Sequence, residues 1–182
     1  MSSVPYDQLM SLMTIPGTHE SCARNGGNMD KRQTMSIPDQ LNYRIRFLDI
    51  RCRVFNGVFA IHHGAVYQEV NFGAILNQCI DFLPAHSSES ILVRIKQEYS
   101  SASSQEFIEI FKKYQAGRER WIYTEKEIPT LGAAVNAHNS GSQQKFIDFA
   151  SGTSSGAYPN AVADRVNPKV YEFLNKNTCI ST

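Results

Sequence analysis

Two histidines, each closing a short apolar run, bracket an aspartate and an arginine two positions apart. The first ends Leu12-Met13-Thr14-Ile15-Pro16-Gly17-Thr18-His19, with Glu20 and Ser21 behind it. The pair is Asp49 and Arg51 in Phe47-Leu48-Asp49-Ile50-Arg51, and the second histidine ends Phe59-Ala60-Ile61-His62-His63-Gly64. An apolar run of this length reads as a strand that buries its side chains. Its polar end is where a barrel or an open α/β sheet places chemistry. Two imidazoles can act as general base and general acid near neutral pH. A guanidinium between them can hold a phosphate through paired hydrogen bonds. The chemistry open to this set is acid–base cleavage of a phosphodiester. Asp49 and Arg51 leave their strand on one face. His62 and His63 leave theirs on opposite faces, so the residues alone do not choose between them.

Ile15-Pro16-Gly17-Thr18-His19, Leu48-Asp49-Ile50-Arg51 and Ile61-His62-His63-Gly64 resemble the X domain of phosphatidylinositol-specific phospholipase C in its bacterial and fungal single-domain form. Ile91-Leu92-Val93-Arg94-Ile95-Lys96-Gln97-Glu98-Tyr99 resembles it too, as does Phe146-Ile147-Asp148-Phe149-Ala150-Ser151-Gly152-Thr153, followed by Tyr158-Pro159-Asn160-Ala161-Val162-Ala163. The segments stand in the family's order and cover most of the chain.

The resemblance implies a division of labour. His19 deprotonates the inositol 2-hydroxyl, which attacks phosphorus. His63, the histidine directly before glycine, protonates the diacylglycerol oxygen as it leaves. Asp49 holds the His63 imidazole in the useful tautomer, as buried carboxylates do; its structural alternative is an ion pair with Arg51 or Arg53. Arg51 stabilises the charge that grows on the pentacoordinate phosphate. Lys96 resembles an inositol-contacting lysine, and Glu98, its same-face neighbour, is expected to pair with it. Glu20 stands where the bacterial pattern has aspartate and completes the substrate-binding set. Phe149 and Tyr158 are candidates for an apolar rim, with core packing, the commoner place for aromatics at such spacing, as the alternative. Calcium-dependent relatives carry an acidic ligand at the Arg51 position, and a guanidinium cannot ligate a cation. No metal and no cofactor are therefore expected. The partner implied is a phosphatidylinositol-type phospholipid at a membrane surface, acted on by a monomer.

The elements that must position these residues follow from pattern. A first strand is expected over 10–16, a second over 46–53, a third over 58–63 after the turn signal Asn56-Gly57, and a fourth over 90–97. Ser36-Ile37-Pro38 reads as a helix start. Apolar residues keep a helical period from Phe72 to Leu83 and again from Phe107 to Tyr114. Strand, helix, strand implies α/β layering, and the resemblance implies a (β/α) TIM-type barrel. With 182 residues the chain suits one domain over 1–182. A complete barrel of this type usually needs about 250. The run Pro129-Thr130-Leu131-Gly132 resembles a family turn. The segment after it, Ala133 to Ser142, resembles a helix end and loop from much later in the family's sequence. An internal deletion and a missing last strand, which in relatives carries an aspartate orienting the first histidine, are expected. The barrel is then incomplete, with open edges and uncovered core.

Composition bounds the rest. Apolar content of 42%, charged content of 19% and net charge +1 are ordinary for a globular domain and give no reason to expect nucleic acid. No apolar stretch is long enough to span a bilayer, and Met1 to Gln8 does not read as a secretory signal, leaving the compartment open. The four cysteines, Cys22, Cys52, Cys79 and Cys179, form no Cys-x-x-Cys pair, so buried free thiols are expected, with a Cys22–Cys52 bridge as the alternative. Two rivals to the enzymatic reading stand: an impaired relative that binds lipid headgroups or a partner, and a metal-dependent phosphodiesterase. The second would need carboxylates clustered near His19, where the sequence offers only Glu20.

Overall fold

The computed structural model of the chain describes residues 1–123 and 129–139. Its axis is the strand β2 (Phe47–Phe55). Along one edge β2 pairs first with β1 (Gly17–Thr18) in parallel, Gly17 beside Phe47, and then with β3 (Val58–His63) antiparallel, from Cys52 beside Ile61 to Phe55 beside Val58. Along the other edge β5 (Leu92–Gln97) runs parallel, from Phe47 beside Leu92 to Cys52 beside Gln97. β4 (Val66–Asn71) lies antiparallel on β3 and completes a five-stranded sheet. Among the described residues this is part of an α/β barrel of the kind the motifs imply.

Alternation along β2 separates two cores. Leu48, Ile50 and Cys52 face one side with Val93 and Ile95 of β5 and Phe59 and Ile61 of β3. There they meet helix α2 (Ile37–Asn42), α3 (Phe72–Phe82) and α4 (Ser104–Gln115). The Phe59 ring stacks on Phe107 at 4.3 Å between centroids and stands edge-on to Phe72 at 5.9 Å, geometry that aromatic quadrupoles favour. Phe47 and Leu92 face the other side. They rest on a smaller cluster of Met10, Leu131, Ala134 and Val135, the last three from helix α5 (Leu131–Asn139). The residues above Phe47 on this inner face are Asp49, Arg51, Arg53 and Phe55. The inner face is therefore floored by apolar side chains and ionic above them.

Local chemistry explains the element ends. Ser36 caps α2 through a reciprocal capping box with Asp39, and Pro38 sits in the first turn. Ser103 caps α4 by accepting from the Glu106 N–H. Asn56 and Gly57, at φ of 49° and 72°, make the left-handed two-residue turn between β2 and β3. Gly17 lies so close to β2 that a Cβ would meet Phe47 Cβ at 2.8 Å. The short helix α1 (Gly27–Asp30) completes the loop after β1.

Two expectations are corrected and one element is new. The first strand is not 10–16. Met10–Leu12 is a single 3₁₀ turn, and only Gly17–Thr18 is strand. Pro16 has no N–H to give a ladder, though its carbonyl accepts from the Arg46 and Phe47 N–H groups. β4 was not anticipated. Its buried Gln68 and left-handed Glu69 (φ 59°) break the simple alternation that marks a strand. The segment after Pro129-Thr130 is helix from Leu131, and it covers inner-face side chains that were expected to lie open. Leu131 and Gly132 donate backbone hydrogen bonds to the Gln8 and Tyr6 carbonyls, and Met10 donates to Pro129. Cys22, Cys52 and Cys79 are free and buried. Residues 146–163, with Phe149 and Tyr158, and Cys179 lie outside the described residues.

Candidate active site

The site is built on the inner face where β1, β2 and β5 end, against the β3–β4 turn. The loop after β1 is pinned from several sides. Thr18 Oγ1 donates to Gln40 Oε1 at 2.7 Å, and Gln40 Nε2 donates to the Ser21 carbonyl at 2.8 Å. Ser21 and Asp49 exchange bonds: Ser21 N–H donates to the Asp49 carbonyl and Asp49 N–H to Ser21 Oγ. Gln33 Nε2 donates to the His19 carbonyl. Glu20 is held between these anchors at φ 48°, a backbone region that a non-glycine residue seldom enters. That bend turns its carboxylate inward, where it is buried.

Asp49 is the hub. Its carboxylate accepts from Arg51 Nε at 3.0 Å and Nη2 at 2.9 Å, lies 3.1 Å from His19 Nδ1, and accepts from the Glu20 N–H at 3.2 Å. Burial alone would raise the Asp49 carboxyl, but the contacts from His19 and Arg51 outweigh it and hold it well below the carboxylate range. The same contact, with a smaller one from Glu20, raises His19 to about 9. Arg51 reaches on to Glu98, whose Oε2 accepts from Nη1 at 2.8 Å. The other Glu98 oxygen accepts from the Gly64 N–H at 2.6 Å. His63 is fixed at both ends. Its Nδ1 lies 2.7 Å from the Asp30 carbonyl, which can only accept, so Nδ1 carries a proton. Its Nε2 lies 2.9 Å from Glu20 Oε2. The other Glu20 oxygen lies 3.5 Å from His19 Nε2, so one carboxylate touches both imidazoles.

His19, Glu20, Asp49, Arg51, His63 and Glu98 are thus brought together. Lys96, in register with Arg51, joins them from β5. Its ammonium is destabilised first by burial and then by Arg51 and Arg94, which lowers its pKa. Two expected pairings are corrected. Asp49 orients His19, not His63, because its strand position faces the loop after β1. Glu98 binds Arg51 and Gly64, not Lys96, because the longer guanidinium reaches across the strands. Two partners escaped the sequence reading. The Asp30 carbonyl is a backbone group with no sequence signature, and Arg94, 3.9 Å from Asp49, carries one only as the alternate residue before Lys96. His62 is buried with its ring 5.5 Å from Tyr67, and burial lowers its pKa.

Glu20, His63 and Glu98 bring possible ligand atoms within 4.8 Å of one another. Both Glu98 oxygens are already engaged by Arg51 and Gly64, and the Arg51 cation occupies the same pocket. Calcium asks for six to eight oxygens, so these residues do not fit it.

The model of the phosphatidylinositol-specific phospholipase C X domain matches residues 7–133. The chain belongs to this family. A 1-phosphatidylinositol phosphodiesterase of Listeria monocytogenes is 32% identical over 143 residues, which cover 72% of this chain and 44% of that one. One of Staphylococcus aureus is 30% identical over 122 residues, covering 63% and 39%. The solved phosphatidylinositol-specific phospholipase C of L. monocytogenes superposes with a TM-score of 0.73 over 94% of this chain and 72% of that one, at 22% identity, which speaks to the fold. The chain spans less than half the length of these curated relatives.

Proposed function

We propose that the chain cleaves the phosphodiester of phosphatidylinositol, or of a glycosylated phosphatidylinositol, by intramolecular transfer. His19 takes the proton from the inositol 2-hydroxyl, and that oxygen forms a bond to phosphorus. The bond from phosphorus to the glycerol oxygen breaks, and His63 gives that oxygen a proton. Cyclic inositol phosphate and diacylglycerol result, and water opens the cyclic ester more slowly with the two histidines exchanging roles. Arg51 would stabilise the charge that grows on the phosphate oxygens, without a metal. The observation that carries the reading is the convergence of two imidazoles and a clamped guanidinium on one inner face. Glu20 deepens it: touching both Nε2 atoms, its carboxylate lies between the group that gains a proton and the group that loses one.

A second reading, a headgroup-binding protein with little turnover, is favoured by His19. At about 9 its imidazole is charged near pH 7, where a base must be neutral. The assay is release of cyclic inositol phosphate from phosphatidylinositol vesicles at pH 7 and at pH 9. Cleavage lost about 10²–10⁴-fold in both His19→Ala and His63→Ala is expected for general acid–base groups. Either variant working within a few-fold of the parent removes that histidine from the mechanism, and a parent silent at both pH values leaves headgroup binding.

A further inference from the structure

The tip of the β2–β3 hairpin carries exposed apolar side chains on the ionic side of the sheet. Phe55 and Val58, the last register pair before the turn, are 55% and 41% exposed. Directly opposed residues share a face, and this one continues the row Asp49, Arg51, Arg53. Phe55 is four positions after Arg51, so its Cα lies about 13 Å further along the strand. Tyr99, 58% exposed, follows the end of β5 beside it, turned outward at φ 50°. Between the rings lies Arg53, its guanidinium carbon 5.9 Å from the Phe55 centroid and 5.2 Å from that of Tyr99. Arg53 makes no ion pair among the described residues.

We propose that this tip, Phe55 and Val58 with Tyr99 and Arg53, is a docking surface that inserts into an anionic lipid bilayer. The proposal rests on the phosphodiesterase reading: a phosphate held at Arg51 sends its glycerol and acyl chains outward, along the side where the hairpin projects. A two-residue turn flanked by two apolar side chains is convex and small. It falls far short of the roughly 1,200–2,000 Å² that a stable protein interface buries. It suits shallow insertion at headgroup depth, where aromatic rings settle. A cation held over their faces adds attraction to anionic lipid.

The test is sedimentation of the full chain with vesicles that contain no inositol lipid, so that cleavage plays no part. One set is phosphatidylcholine alone and the other includes phosphatidylglycerol. Phe55→Ala should lower partitioning about tenfold, from the transfer free energy of one phenylalanine side chain. Arg53→Ala should lower it about fivefold on anionic vesicles only. Tyr43→Ala, 75% exposed at the opposite end of β2, should change nothing. All these side chains are at least partly exposed, and unchanged melting would show that the variants fold. Parent that does not partition, or Phe55→Ala that partitions like the parent, overturns the proposal. So does parent that self-associates without lipid and is made monomeric by Phe55→Asp, since a second copy would then be the occupant. Partitioning that depends on Phe55 in a chain unable to cleave phosphatidylinositol would sink the enzymatic reading and leave the docking surface standing.

Discussion

Replacing Asp49 by Asn should uncouple the two ends of the site. The carboxylate serves His19, two nitrogens of Arg51 and the Glu20 N–H at once. An amide keeps one acceptor and turns a donor towards groups that are themselves donors. Two consequences can be separated. The first is electrostatic. With its pKa raised to about 9, His19 is roughly 1% neutral at pH 7. Without Asp49 it should titrate much nearer 6.5, Glu20 holding it slightly above. A raised pKa contributes stability that is fully present below 6.5 and is lost as pH rises through about 9, so the parent should melt lower at pH 9.5 than at pH 6, a difference the variant loses. The ring is 60% exposed, so water screens this contribution to the low end. The second is structural. Arg51 is buried, and removing one partner of a buried pair costs about 3–5 kcal/mol; the low end applies because Glu98 remains. The assay is a proton NMR titration of the His19 ring beside denaturant unfolding at two pH values. A parent His19 that titrates near 6.5, or an Asp49→Asn variant with an unmoved His19, would refute the electrostatic argument.

Phosphatidylinositol cleavage should be unchanged by excess chelator and by added calcium, because a guanidinium occupies the centre of charge; loss on chelation with recovery on calcium would contradict this. Glu98→Gln keeps an acceptor for the Gly64 N–H but turns an amide donor towards Arg51, so kcat should fall about tenfold or more at nearly constant KM. The loss of stability should be smaller than that of Asp49→Asn, because Arg51 keeps two bonds to Asp49. Equal changes in kcat and KM would place Glu98 in substrate binding instead. Glu20→Asp shortens the carboxylate by one methylene and should release one imidazole, read as a change in a single histidine titration curve rather than two. Ser36→Ala removes the cap of α2 and should cost about 1 kcal/mol by chemical denaturation, with cleavage intact.

Most of the site was legible because it lies where strands end. His19, Asp49, Arg51, His63, Lys96 and Glu98 sit at apolar-to-polar junctions, and a period of two fixes which of them share a face. Pairing was not legible, because it depends on how far a side chain reaches across neighbouring strands. Asp49 went to His19 and Glu98 to Arg51 for that reason. The Asp30 carbonyl that orients His63 belongs to the backbone, and no residue type announces it. In the fold, α2 and α3 announced themselves through a cap and a helical period. β4 did not, since a buried glutamine and a left-handed glutamate disguise it. The 3₁₀ turn at Met10 hid inside an apolar run of which only Met10 is buried.

The apolar floor beneath the ionic row joins residues far apart in the chain. Met10 comes early, Leu92 from β5, and Leu131, Ala134 and Val135 from α5. Each backbone bond that seals it, from Leu131 to Gln8 and from Gly132 to Tyr6, closes a loop running through nearly all the described residues. Such closures are entropically the last to be rewarded and slow folding. The hairpin and its helices can assemble from near neighbours, while the ionic row stays wetted from below until the floor arrives. The order in which the chain gains its parts therefore puts the helix-covered core first and the dry, low-dielectric bed of the site last. A pulse of hydrogen exchange during refolding would see the amides of β3 protected before those of Leu131 and Gly132.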